Sequence, residues 1–272
     1  MHRVLSYPGS KWNIARQIVE LIPEHHSYVE PYFGSGAVFF NKKPSEIETI
    51  NDLDDDVPNL FSCIRKDPER LAGMAAATPY SRKTYDSQFD GMNPEDPFER
   101  ALGFLIKCWQ GHGFRTNQYK VGWKNDVVGR ESMYALRNWY RLPAWIMEIA
   151  ERLRGCQIEC APALDVIRRF NNKQVCMYVD PPYLLNTRSG KQYKHEMNEQ
   201  DHVELLEELV HSKAKILLSG YESELYDDYL SGWNKFSFNC TAEYGMKRTE
   251  VLWTNFGSPV RQLSIFDMQM NL

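Results

Sequence analysis

Strand-and-helix alternation runs through this sequence in two blocks, 28–52 and 157–255, and stops between them. In the first block Tyr28-Val29-Glu30 reads as a short strand, PYFGSG (31–36) as a turn and AVFFN (37–41) as the start of a helix. IETIND (47–52) alternates as a strand and ends in acids. Strand, glycine turn, helix and strand are the opening of a doubly wound sheet. The second block resumes the pattern: QIEC (157–160) as strand, ALDVIRRF (163–170) as helix, VCMYV (175–179) as strand, EQDHVELLEELVH (199–211) as helix, AKILLSG (214–220) as strand. KFSFNC (235–240) and TEVLWTN (249–255) read as a closing pair of strands. Ahead of both blocks, SKWNIARQIVELI (10–22) sets Ile14, Ala15, Ile18, Val19 and Ile22 on one helical stripe, with Ser10 as N-cap. The fold class expected is α/β, one sheet with helices on both faces and a mainly helical insertion.

The insertion reads as helices at 58–65, 68–76, 81–89, 95–109 and 143–154. Between the last two lies QGHGFRTNQYKVGWKNDVVGR (110–130), which holds four of the chain's 16 glycines. The domains expected are 1–57 with 156–257 as the catalytic sheet, 58–155 as the insertion and 258–272 as a tail. The net charge of −4 does not announce a nucleic-acid binder, but the distribution is uneven. Residues 100–154 carry ten Lys or Arg against four acids, a basic island in an otherwise acidic chain. No run approaches the ~20 apolar residues of a membrane span, and MHRVLSYPGS lacks a signal-peptide core. The six cysteines form no CxxC pair and no zinc-ligand spacing, so they read as buried free thiols of a reducing cytoplasm. No metal and no membrane contact are expected.

YVDPPYLL (178–185) follows an apolar strand. A random chain of this length contains Asp-Pro-Pro-Tyr about once in a thousand, so the motif calls for a cause. Ligands of open α/β sheets sit beyond the carboxyl ends of the strands, which is where Asp180 falls. Two prolines stiffen the loop and have no N–H, leaving the Asp180 carboxylate and the Pro181 carbonyl as acceptors, with Pro182 and the flat ring of Tyr183 behind them. An exocyclic amine on an aromatic base fits two acceptors and a stacking ring. Holding both N–H groups in a near-tetrahedral arrangement localises the nitrogen lone pair. Such a base must first leave the duplex.

At this point the chain resembles the Dam-like DNA adenine N6-methyltransferases of the Asp-Pro-Pro-Tyr class, from Tyr7 to about Phe256. The resemblance implies a Rossmann-like catalytic domain, S-adenosylmethionine as methyl donor, double-stranded DNA as partner and 58–155 as target-recognition insertion. YPGSK (7–11) stands where the family opens with an aromatic, two small residues and a lysine, which puts Tyr7, Gly9 and Lys11 beside the cofactor. VEPYFGSG (29–36) is similar to its cofactor loop, with Phe33, Gly34 and Gly36. Asp52 corresponds to the acid that takes the ribose hydroxyls, Asp165 and the Val166 N–H to the contacts with the cofactor's adenine, and Asp180 borders the methyl group. LLSGY (217–221) and RTEVLWTN (248–255) resemble its late strands and read as structural. Arg115, Tyr119, Lys120, Trp123, Lys124 and Arg130 in the basic insertion read as the DNA-facing set, for phosphates, guanine edges or a wedge.

The pocket chemistry alone leaves cytosine N4 and an RNA base amine open as acceptors. A DNA-binding relic without activity is the non-enzymatic alternative. In the tail, Gln262-Leu263-Ser264-Ile265-Phe266 resembles the short peptides that dock on bacterial sliding clamps; Gln262, Leu263 and Phe266 would make the contacts. Such a tether raises local concentration on DNA.

Overall fold

Strand β1 (Ser27–Glu30) is buried along its whole length and so is β4 (Val175–Val179), as central strands of a parallel sheet must be. The structure, a computed structural model, describes residues 1–91, 94–117, 119–125, 132–188, 190–241 and 247–257, with backbone alone at 132–134, 240, 241, 247 and 248. Arg130 and the whole tail, with Gln262, Leu263 and Phe266, lie outside the described residues. Beside β1 run β2 (Ile47–Asn51) and then β3 (Cys156–Glu159). On the far side of β4 runs β5 (Lys215–Gly220). These five are parallel; β7 (Lys247–Thr254) returns antiparallel on β5, and β6 (Asn234–Thr241) closes the edge. The order is β3-β2-β1-β4-β5-β7-β6.

Successive strand residues feed two separate cores, as a period of two requires. Tyr28, Cys176, Tyr178, Leu217 and Leu252 join one, and Val29, Met177, Val179, Leu218 and Trp253 the other. Helices α7 (Ala163–Arg169), α8 (Glu199–Val210) and α9 (Glu224–Tyr229) contribute to the second. The first is shared with α1 (Ala15–Glu20) and with the five helices between β2 and β3: α2 (Asp56–Lys66), α3 (Pro68–Ala77), α4 (Arg82–Asp86), α5 (Pro97–Gln110) and α6 (Ser132–Leu153). This is the expected α/β sheet with helices on both faces. The expected boundary at 57/58 falls inside α2. No described helix is long and apolar enough to cross a membrane.

Three local expectations are corrected. The helix expected over 10–22 is α1 alone: Ser10 spends its hydroxyl on Ser35 at 2.8 Å, and Ile14 takes the N-cap position. AVFFN makes turns rather than a helix, because Phe33, Phe39, Phe40 and Phe61 converge edge to face and set the path of the chain. The helix expected over 143–154 begins at 132. Pro143 sits inside α6. Ala135, Trp139, Leu142, Ile146, Ile149 and Leu153 form one buried stripe across it, and their burial outweighs the ~3 kcal/mol of an internal proline. Of the thiols, Cys63, Cys108, Cys156 and Cys176 are buried as expected, but Cys160 is exposed at the end of β3.

One buried polar cluster ties the helices to the sheet. Glu48 of β2 accepts from Lys42 Nζ at 2.6 Å and from Arg152 Nη2 at 2.7 Å, with Arg152 Nη1 on its other oxygen. All three side chains are buried.

Candidate active site

From β1 the chain steps to β2 on one side, and from β4 to β5 on the other, so the order reverses between β1 and β4. Outside the carboxyl ends of these two strands a doubly wound sheet leaves its binding crevice. A cavity of about 960 Å³ opens there, bordered by Tyr7, Gly34, Asp52, Asp180, Tyr183 and Glu250.

The glycine loop shapes one wall. Gly34 has φ +49 and Gly36 φ +64, a region open to glycine. A Cβ on Gly36 would run into the Phe33 ring, and one on Gly34 would stand 3.1 Å from the ring of Tyr7. Phe33 itself is buried, its N–H donating to the Asn51 carbonyl at 2.9 Å. Asp52 closes the loop: Gly34 N–H donates to its Oδ2 at 2.8 Å and Asp54 N–H to its Oδ1 at 2.9 Å. Burial pushes the Asp52 carboxyl up to about 7 against the pull of those amides. Gly9, with φ +69, lets Tyr193 close over the YPGSK turn.

The opposite wall is Asp-Pro-Pro-Tyr. The Asp180 side chain is 18% exposed, and Lys11 Nζ stands 3.1 Å from its Oδ1. The Lys11 ammonium forms an ion pair with that oxygen and also donates to the Gly9 carbonyl at 2.6 Å. Burial raises the Asp180 carboxyl, with Lys11 opposing. Burial pulls the Lys11 ammonium down, but Asp180 and Glu250 outweigh it and hold it above its ordinary value. Pro181 is buried and Pro182 half-buried. Tyr183 is pinned at two points: its hydroxyl donates to Glu250 Oε2 at 2.7 Å, and its carbonyl accepts from Arg188 Nε at 2.7 Å. Lys11 Nζ lies 4.7 Å from the centre of its ring.

The cavity's cover joins the two halves of the chain. Thr116 N–H donates to the Gln192 carbonyl at 2.8 Å, and Lys194 N–H returns to Thr116 Oγ1 at 2.7 Å. Arg115 also borders the cavity, its guanidinium 5.2 Å from the ring centre of Tyr119, which is 62% exposed.

Other expected residues lie elsewhere. Asp165 faces solvent beside Arg168, and the Val166 N–H is turned to the Pro162 carbonyl at 3.4 Å within α7; Pro162, Ala163 and Leu164 border the cavity in their place. Lys120 pairs with Asp86 at 2.8 Å. Trp123 packs on Tyr80 with Arg82 over its ring, and Lys124 is held through its backbone by Gln110 and Tyr80. Six bordering acids were not among the expected set: Glu30, Asp54, Glu196, Asp201, Glu204 and Glu250. Glu30 carries the signal that marked Asp180: an acid before a proline at the end of a central strand. Its carboxyl accepts from Tyr28 at 2.8 Å, and burial pushes it up to about 8. Glu250 carried no such signal.

A crevice at the switch point, with an acid under a glycine loop and a proline-stiffened loop opposite, is the ligand site of a doubly wound α/β fold. The family model of the D12 class N6 adenine-specific DNA methyltransferase matches residues 7–243, and the chain belongs to that family. It is a DNA methyltransferase. DNA adenine methylases of Salmonella typhi and of Escherichia coli K12 are each 25% identical over 232 residues, covering 81% of this chain and 81% of theirs. The DNA N-6-adenine-methyltransferase of Escherichia phage P1 is 25% identical over 83% of this chain and 31% of its own. Among solved structures, the SAM-dependent methyltransferase of Agrobacterium tumefaciens superposes over 89% of this chain and 59% of its own at 12% identity and a TM-score of 0.33, too loose a likeness to assign anything.

Proposed function

We propose that this chain transfers a methyl group from S-adenosylmethionine to N6 of an adenine flipped out of double-stranded DNA. The observation that carries this reading is the meeting of the proline-stiffened Asp180–Tyr183 loop, the Gly34 turn and Asp52 around one cavity at the switch point of the sheet. The cofactor's demands also match the walls: Asp52 suits a ribose diol, and the missing Cβ atoms of Gly34 and Gly36 leave backbone in close reach. The cofactor supplies an activated methyl group. The protein's part is to hold the amine: Asp180 accepts one N6–H and the Pro181 carbonyl the other, which localises the lone pair toward the methyl carbon. Tyr183 receives the base by stacking. Arg115 and Tyr119 at the rim face the duplex, and 58–155 serves target recognition.

The test is a modification-sensitive methylome of a methylation-free bacterial strain expressing this chain. N6-methyladenine at a defined motif supports the reading; N4-methylcytosine, or no modified DNA base, overturns it.

Asp52 gives a pH signature. The unfolded carboxyl loses its proton near 3.8, the folded apo site only near about 7. The native state binds the extra proton in that window, so apo stability falls as pH rises through it. Cofactor affinity runs the opposite way, because the ionised carboxylate is the better acceptor for a diol. Asp52→Asn is expected to weaken cofactor binding about tenfold and to flatten its pH dependence, measured by calorimetry on both sides of that value. In the same reading the tail, 258–272, tethers the enzyme to a sliding clamp; alanine at Gln262, Leu263 and Phe266 is expected to weaken binding to a purified bacterial clamp at least about tenfold.

A further inference from the structure

Glu250 stands in RTEVLWTN, a stretch whose sequence reads as a structural strand. The topology gives it another place. Because β7 runs antiparallel to β5, Val251 pairs with Gly220 at the carboxyl end of β5, and the residue before it emerges at the edge where Asp180 lies. There the Glu250 side chain is 13% exposed, next to the buried Val251, Leu252 and Trp253. A carboxylate so placed needs a partner. It accepts from the Tyr183 hydroxyl at 2.7 Å and stands 4.0 Å from Lys11 Nζ.

We propose that Glu250 is a positioning residue for methyl transfer, fixing the Tyr183 ring through its hydroxyl in the plane that receives the flipped base. The proposal rests on the base-transfer reading above. A charge-assisted hydrogen bond is short and strong. With Arg188 on the Tyr183 carbonyl and Glu250 on its hydroxyl, both ends of the residue are held and the ring between them cannot rock. Without the carboxylate the hydroxyl loses its charged acceptor, and base and methyl carbon lose alignment. The competing role, a mere counter-ion for Lys11, differs in one respect: it does not act through the Tyr183 hydroxyl.

The experiment is a double-mutant cycle on the full chain, read as kcat, KM for DNA and cofactor affinity. Glu250→Gln, which keeps size and a neutral acceptor, is expected to lower kcat about tenfold, and Glu250→Ala up to about a hundredfold, with cofactor affinity unchanged. In a Tyr183→Phe background Glu250→Gln should add less than about twofold, since the shared bond is already gone. Fully additive losses, or wild-type kcat in Glu250→Gln, overturn the proposal. A second readout does not need activity: 3-fluorotyrosine at position 183 should show a shifted fluorine resonance in Glu250→Gln, and an unmoved resonance overturns the tether. If the wild-type enzyme methylates no DNA while that resonance moves, the base-transfer reading fails and the tether stands.

Discussion

Asp180→Ala is expected to lower methyl transfer by about 10²–10³-fold or more while the protein stays folded. In the proposed mechanism the loss removes the acceptor that holds one N6–H, so the amine keeps its lone pair in the ring and meets the methyl carbon in the wrong hybridisation. The fold survives because the carboxylate is disfavoured by its own burial, which raises its pKa despite Lys11. Lys11 keeps its hydrogen bond to the Gly9 carbonyl and has Glu250 at 4.0 Å as a remaining counter-charge. Asp180→Asn retains an acceptor without the charge and should fall between wild type and alanine. Single-turnover transfer of labelled methyl to duplex DNA measures the effect, with thermal unfolding as control. Wild-type turnover by Asp180→Ala would remove the acid from the reaction.

The largest expected stability effect lies away from the cavity. Glu48→Ala leaves Lys42 and Arg152 buried without their shared carboxylate, an uncompensated pair of cations worth about 3–5 kcal/mol of destabilisation. For a chain of this size that lowers Tm on the order of 10 °C. The pH dependence has a definite sign. Burial pushes the Glu48 carboxyl up, but Arg152 and Lys42 outweigh it and hold it below 4.5. Its stabilisation is therefore complete above that ordinary value and is lost as pH falls through the lower folded one. Melting curves of wild type and Glu48→Ala should converge in acid and separate above it. Equal Tm values at neutral pH would mean that the cluster holds nothing together.

What was legible in the sequence was local in origin. Asp180-Pro181-Pro182-Tyr183 and Phe33-Gly34-Ser35-Gly36 announce themselves because proline and glycine restrict or free the backbone where they stand, and the structure sets both on one cavity. Glu250 was illegible for the opposite reason: its placement depends on the reversal of β7 against β5, a pairing between distant segments. Trp123 and Lys120 read as DNA-facing; their contacts to Tyr80 and Asp86, from an earlier part of the chain, were not legible in the sequence. The first half of α6 was missed because the buried stripe that carries the helix through Pro143 is a tertiary feature.

The connection from β2 to β3 passes through residues 52–155, although the two strands are immediate neighbours. About a dozen residues would span such a crossover. Closing the longer loop costs little in chain entropy, roughly 0.6 kcal/mol per doubling and about three doublings here. The debt is one of time. Both the β2–β3 seam and the β1–β4 seam join strands across that helical module, so changes among its helices are expected to slow the closing of the sheet.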